Sequence, residues 1–159
     1  MSALHSRDAV PVDQGQLLEM VRAFYLEDEI VYDAARVEGG LGTLLRDPSC
    51  GAVLLLGSDD VPLAGYITLC WCFSVEQGGR FVLLDELYLR PQARGRGWGR
   101  QALRLAADWA RRQGASVLRL EVNHHNTRAK VLYLSAGFQD DSRDILTLPL
   151  DGDARSLHS

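Results

Sequence analysis

Residues 84–103 read LDELYLRPQARGRGWGRQAL, and this stretch decides the fold. Its first part continues a strand predicted from Phe81 to Leu89, and Pro91 ends that strand. Apolar spacing from Gly97 onward predicts a helix. Glycines in the connection would let the backbone approach a ligand, and the first N–H groups of the helix would then make a natural seat for a pyrophosphate. A flexible turn without a ligand is the alternative interpretation.

Two common glycine-loop sites do not fit this connection. A nucleoside-triphosphate loop ends in Gly-Lys-Ser or Gly-Lys-Thr, and that ending is absent here. A dinucleotide-binding fold places its glycine loop after the first strand, with an acidic residue about 20 residues later. Here several predicted strands precede the loop, and Glu121 lies in a different segment.

Helices and strands alternate along the rest of the chain. Helices are predicted over 12–29, around 38–45, and over 97–113 and 126–136; strands are predicted over 52–56, 62–75, 81–89, 117–122 and 145–150. Asp13 would cap the first helix, and Gly114 and Gly137 would end the last two. The order predicts an α/β fold with a mixed, mostly antiparallel sheet and helices on both faces. We expect one domain over 1–159, with the tail from about Asp151 frayed.

Composition limits the function classes. The chain has 159 residues, of which 47% are hydrophobic and 24% charged, as expected for one globular domain. No apolar run approaches the ~20 residues of a membrane span, and residues 1–13 lack the apolar core of a signal peptide, so we expect a cytoplasmic protein without membrane contacts. A formal net charge of −4 argues against a nucleic-acid partner and suits a small cationic one.

A second group of polar residues occupies 123–133. In the predicted helix, Asn126, Ala129 and Tyr133 share one side, and the phenol could donate a proton to a leaving group. Alternatively, Asn126 is a helix cap and Tyr133 a ring at the edge of the core. His124 and His125 lack a third ligand at metal-binding spacing, so no metal site is predicted.

Residues 84–103 resemble the acyl-CoA-binding core of the GNAT N-acetyltransferase superfamily, including its Arg-x-x-Gly-x-Gly loop, and 120–138 is similar to the next motif of that family. The resemblance implies a GNAT-like domain that uses acetyl-CoA as cosubstrate. Backbone groups of Leu87 and Leu89 would pair with the pantetheine arm, Asn126 would meet the pantetheine or acetyl end, and Tyr133 would lie near the sulfur as general acid. The pyrophosphate would be held by the amides of Arg94, Gly95, Arg96, Gly97, Trp98 and Gly99.

A base is needed to keep the attacking amine unprotonated. Asp85 and Glu86 are the nearest carboxylates, and on a regular strand they point to opposite faces, so that only one could serve. Asp85 stands where the resembling polyamine acetyltransferases carry an acidic residue. Both carboxylates could instead be structural hydrogen-bonding groups.

The residues that bind the acceptor are the hardest to predict from this sequence. The family often builds its acceptor pocket near the end of the first helix, which here offers Glu27 and Asp28, with Tyr32 shortly after. Glu76 is a further candidate. A solvated helix end would explain the first two residues equally well.

The resemblance implies an N-acetyltransferase that moves acetyl from acetyl-CoA to a primary amine by direct attack. We expect a small, possibly cationic acceptor such as a polyamine. A protein lysine or N-terminal acetyltransferase and a non-catalytic CoA-binding module are the alternatives, and a homodimer is possible. The sequence identifies neither the acceptor nor the acyl length.

Overall fold

The computed structural model describes residues 3–151. Within them one sheet runs in the order β1 (His5–Asp8), β2 (Gly51–Gly57), β3 (Gly65–Ser74), β4 (Gly79–Leu89) and β5 (Leu118–Leu120). The first four strands pair antiparallel, and β5 pairs parallel to β4. The mixed, mostly antiparallel sheet is thus confirmed.

The helices are α1 (Gln14–Glu27), α2 (Ala34–Arg46), α3 (Trp98–Arg112) and α4 (Thr127–Ser135). They cover both faces of the sheet, as predicted. On one face Leu17 and Met20 of α1 pack with Val53 and Tyr66 of the sheet. The opposite face packs against α3 through the cluster Ile67, Leu69, Val82, Leu84, Ala102, Leu103, Ala106 and Trp109. No helix in the described part of the chain is long and apolar enough to cross a membrane.

Two elements differ from expectation at the ends of the chain. Residues His5–Asp8 form β1, although they lack strand-like apolar alternation, because the edge of β2 supplies their pairing. The strand predicted over 145–150 is wrong, since this segment has no regular structure and exposes Ile145, Leu146 and Leu148. It makes no ladder with the sheet, and Pro149 would remove one donor from any such ladder. The predicted fraying concerns residues beyond Asp151, which lie outside the described ones.

A β-bulge interrupts the pairing of β3 with β4. Thr68 is the partner of Glu86, whereas the next residue, Leu69, is the partner of Leu84. Asp85 is therefore the extra residue of the bulged strand. A bulge interrupts the alternation of side chains between the two faces of a strand, and here the interruption falls at the carboxylate residue Asp85.

Glycines inside α2 give a test of the fold. A Cβ at Gly39 would meet no atom within 4 Å, and its backbone is not in the left-handed region. We expect Gly39→Ala to stabilise the chain by about 0.5–1 kcal/mol, because alanine loses less backbone entropy in a helix, and to raise Tm by about 1–4 °C. Thermal unfolding followed by circular dichroism measures this shift.

Gly65→Ala is the matched control for this prediction. A Cβ at Gly65 would lie 2.0 Å from the backbone oxygen of Tyr88, so this variant should melt at a lower temperature than the wild-type chain. Destabilisation by Gly39→Ala would contradict the helical geometry described for α2.

Candidate active site

The connection between β4 and α3 forms an open backbone surface at the start of the helix. Gly95 and Gly97 have φ values of 73° and 76°, and a Cβ at either position would meet no atom within 4 Å. Gly97 is the N-cap of α3, and no side chain caps the first turn. These N–H groups and the positive end of the helix dipole suit a pyrophosphate, and the residues present fit the CoA site implied by the sequence.

Arginines hold this connection in place through exposed or half-exposed partners. The Nη2 of Arg94 lies 2.7 Å from Glu27 at the end of α1, and its Nε donates to the carbonyl of Leu89 at 2.9 Å. Arg96 pairs with Asp60 at 2.7 Å. Exposed ion pairs contribute little to stability, so these guanidinium groups can turn to phosphate oxygens at small cost.

Among residues 3–151, no strand pairs with the second half of β4 on the edge that faces β5. Pairing with β5 ends at Leu84, while β4 continues to Leu89. On the other edge, the N–H of Arg90 donates to the carbonyl of Ala64 at 2.8 Å. Backbone groups alternate in direction along an antiparallel pair, so those of Leu87 and Leu89 point to the open edge. An extended amide-bearing arm such as pantetheine could pair there as an added strand.

Asp85 and Glu86 line one and the same cavity. The expectation that they point to opposite faces is wrong, because the bulge at Asp85 breaks the alternation of β4. The cavity has a volume of about 620 Å³ and lies between the sheet and the two N-terminal helices, with Tyr25 of α1 and Arg36 of α2 among its lining residues. That volume suits a small molecule.

The two carboxylates differ in their hydrogen bonds. Glu86 accepts from the hydroxyls of Tyr25 at 2.5 Å and Tyr66 at 2.7 Å, one on each oxygen. Asp85 is open to the cavity, and its carboxylate has no hydrogen bond or ion pair to the rest of the described chain. Glu86 is thus a fixed group, and Asp85 is the one available to a ligand.

Burial raises the pKa of both carboxyl groups above the ordinary range. For Asp85 the cause is loss of water around the charged form. For Glu86 the same cause dominates and the charge of Asp85 adds to it, while the bonds from Tyr25 and Tyr66 act in the opposite direction. Burial, and after it the Glu86 carboxylate, raises the pKa of the Tyr25 and Tyr66 phenols, so they remain hydrogen-bond donors.

Two thiols also line the cavity, those of Cys50 and Cys70. Burial, together with the charge of Asp85, raises the pKa of Cys70 to about 11. A thiol with such a pKa is protonated at neutral pH and is a poor nucleophile. This environment disfavours a covalent acyl-enzyme on Cys70.

Tyr133 and Asn126 lie on α4 as the sequence predicts. The side chain of Asn126 accepts from the N–H of Ala129 at 3.2 Å, so it caps the helix. The Tyr133 ring packs edge-on against Phe138, with centroids 6.1 Å apart. Burial and the nearby charge of Asp28 raise the pKa of Tyr133, which keeps the phenol protonated and able to donate.

The residues predicted for acceptor binding lie elsewhere. None of Glu27, Asp28, Tyr32 and Glu76 lines the cavity described above. Glu27 and Asp28 face the Arg94 connection and Tyr133. The Tyr32 hydroxyl is buried and unpaired within residues 3–151, and its ring contacts that of Tyr25. Their role in binding an acceptor stays a prediction.

Glu76 occupies the turn between β3 and β4. It accepts from Arg143 at 3.0 Å and lies 3.6 Å from Arg119 of β5. These contacts join the turn to β5 and to the C-terminal segment at the far end of the hairpin.

Sequence reasoning did not single out Arg36, Tyr66 or Thr68 as residues of this site. Tyr66, Thr68 and Cys70 alternate along β3, and that spacing alone indicates a shared face. Thr68 is the register partner of Glu86, and Tyr66 donates to the Glu86 carboxylate. Both contacts depend on the register of two strands, which the sequence does not reveal.

Comparisons with known proteins agree with this geometry. The Acetyltransferase (GNAT) family matches residues 15–138. A thialysine N-epsilon-acetyltransferase of Bos taurus is 31% identical over 150 residues, which cover 88% of this chain and 86% of that protein. The uncharacterized N-acetyltransferase YhfO of Bacillus subtilis is 33% identical over 91 residues, covering 57% of this chain and 61% of YhfO.

A solved structure extends the match to the whole fold. The integron cassette protein HFX_CASS3, from the mobile metagenome of Cole Harbour Salt Marsh, superposes with a TM-score of 0.78 at 28% identity. The superposition covers 91% of this chain and 90% of that protein. Most of the chain, including the connection before α3 and Tyr133 on α4, therefore falls within the matched region, and the chain belongs to the GNAT family of acetyl-CoA-dependent acetyltransferases.

Proposed function

We propose that this chain transfers the acetyl group of acetyl-CoA to a primary amine of a small molecule. One observation carries the proposal: a cavity of about 620 Å³ is lined by two carboxylates at the bulge of β4, the strand whose open edge would receive pantetheine. Carboxylates without a basic partner attract an ammonium group. The bovine relative, named for acetylation at an epsilon nitrogen, supports a small amine acceptor.

The residues present suffice for direct transfer. Asp85 would take the proton of the ammonium group, directly or through water, and the neutral amine would attack the thioester carbonyl. As the tetrahedral intermediate collapses, the C–S bond breaks and the C–N bond remains. Tyr133 would give its phenolic proton to the leaving thiolate. Glu86, fixed by Tyr25 and Tyr66, would hold the acceptor in place by its charge.

Thiol release from acetyl-CoA with a panel of acceptors tests this function. We expect turnover with small primary amines and little with peptides, whether the peptide offers a free N-terminal amine or a lysine side chain. Turnover with peptides alone would favour a protein acetyltransferase. CoA binding without turnover on any acceptor would show a binding module and overturn the proposal.

Removal of the Asp85 carboxylate tests the base. In Asp85→Asn we expect kcat/KM to fall about tenfold at the optimum pH, less than the full contribution of a general base, because water can still accept the proton. The wild-type acidic limb should lie above the pKa of an ordinary aspartate, since burial raises the pKa of Asp85, and activity should fall as pH drops through it. This limb should be lost in the variant.

Asp108→Asn, on the exposed surface of α3, is the matched control and should keep the wild-type profile. Because a carboxyl with a raised folded-state pKa opposes folding once it ionises, Asp85→Asn should not lower Tm at neutral pH. An unchanged acidic limb in a folded Asp85→Asn enzyme would assign the base to Glu86 or to solvent.

A further inference from the structure

We propose that the acceptor carries a carboxylate as well as its amine, and that Arg36 binds this carboxylate. The inference rests on the proposed function and names its substrate class: amino-acid-like amines rather than simple diamines. Arg36 would be a specificity-determining residue that touches the acceptor away from the reacting nitrogen.

The first observation is the charge distribution of the cavity. Arg36 is the one basic residue among the residues that line it, and Asp85 and Glu86 are the acidic ones. They belong to different elements, Arg36 to the first turn of α2 and the carboxylates to β4. A cavity with a cationic group and an anionic group on separate walls is complementary to a molecule with both charges. A diamine would place its second ammonium group near the Arg36 guanidinium, and these two positive groups would repel each other.

The second observation is that a carboxylate already lies on Arg36. The Nη2 of Arg36 is 2.9 Å from Oδ2 of Asp151 in the C-terminal segment. Both side chains are about half exposed, at 49% and 56%, so this ion pair is accessible to exchange with a ligand. The Asp151 carboxylate thus occupies the position that the acceptor carboxylate would take.

The remaining donors of the guanidinium allow this exchange. Asp33 also forms an ion pair with Arg36, at 3.9 Å from its Nε, and accepts a hydrogen bond from the backbone N–H of Arg36. A guanidinium has five N–H donors and can bind a carboxylate with two parallel bonds. Arg36 can therefore hold a ligand while remaining beside the N-cap of α2.

Matched acceptors separate this inference from the proposed function. The probes are 1,3-diaminopropane, 1,4-diaminobutane and 1,5-diaminopentane, each compared with the diamino acid that adds one carboxylate: 2,4-diaminobutyrate, ornithine and lysine. We expect the wild-type enzyme to have a higher kcat/KM for the carboxylated member of the best pair. In Arg36→Gln that value should fall by about tenfold, mainly through KM, while the diamine value stays the same or rises.

Two further variants complete the test. Arg46 is the other arginine of α2 and lies outside the cavity lining, so Arg46→Gln should leave kcat/KM unchanged for both the diamine and the diamino acid. Asp151→Asn should lower KM for the diamino acid alone, because it removes the internal carboxylate. If Arg36 acted through the base instead, Arg36→Gln would change kcat/KM equally for the diamine and the diamino acid.

The outcomes are distinct. A wild-type enzyme that acetylates diamines as well as or better than diamino acids would overturn the carboxylate inference and leave the proposed function standing. An equal loss on both acceptors in Arg36→Gln would also overturn it. Failure with every amine would overturn the proposed function itself.

Discussion

We expect the Gly97→Asp variant to bind CoA at least about 100-fold more weakly than the wild-type chain, a loss of about 3 kcal/mol or more. The N-cap position faces open space in front of the first turn of α3. An aspartate there would place a carboxylate where the pyrophosphate is proposed to bind, so the two negative groups would repel each other. The carboxylate could also accept hydrogen bonds from the N–H groups of the first turn, which would then no longer be available to the pyrophosphate. Isothermal titration calorimetry with CoA measures the loss.

Two controls separate charge from backbone strain. Gly97→Asn puts a side chain of the same shape at the same left-handed position and should weaken CoA binding much less. Gly114→Asp changes a glycine with φ 84° just beyond the other end of α3, also in open space, and should cost stability without changing CoA affinity. Wild-type affinity in a folded Gly97→Asp chain would contradict the pyrophosphate assignment.

Loss of the Tyr133 hydroxyl should have the second large effect. In Tyr133→Phe we expect kcat to fall by roughly 10- to 1000-fold, because the thiolate, whose reference pKa is about 8.5, would leave without a proton from the phenol. The ring and its contact with Phe138 remain, so Tm and CoA affinity should change little. Steady-state kinetics with a saturating amine measures kcat.

The pH dependence of the wild-type activity provides a second test of the role of Tyr133. The phenol is protonated well into the alkaline range, since burial and Asp28 raise its pKa, so the wild-type enzyme should keep its activity there. A Tyr133→Phe enzyme with nearly wild-type kcat would show that Tyr133 is a packing residue at the edge of the core.

Local sequence signals predicted the secondary structure from β4 to α3 well. Pro91, the glycines of 95–99 and the apolar spacing of α3 act through backbone geometry within a few residues, so the strand, connection and helix could be placed without knowing the rest of the fold. The same is true of α4, where Asn126 caps the helix as its residue type suggests.

Features that depend on pairing between distant residues could not be predicted. The bulge at Asp85 exists because β3 and β4 meet in a particular register, and it reversed the expected direction of one carboxylate. β1 is a strand only because β2 offers an edge. The segment 145–150 has the composition of a strand but makes no ladder, which shows that propensity alone does not create one.

The cavity beside Asp85 and Glu86 was predicted less well for the same reason. Its residues come from α1, α2, the turn before β2, β3 and β4, and Arg36 has no motif around it that would indicate a ligand. The sequence indicated a carboxylate pair at 85 and 86, but the bonds from Tyr25 and Tyr66 that distinguish the two are made over sequence separations of 61 and 20 residues.

If pantetheine binds along the second half of β4, as proposed, the stability of the folded chain depends on the supply of its cosubstrate. A pantetheine arm bound along this edge would supply the backbone partners that β5, which pairs only as far as Leu84, does not. By mass action, a ligand that binds only the folded state and is present at 100 times its Kd raises the free energy of unfolding by about 2.7 kcal/mol, which lowers the unfolded population about 100-fold. A fall in cellular acetyl-CoA and CoA would then expose more chains to proteolysis, so that the amount of enzyme follows the metabolite it consumes.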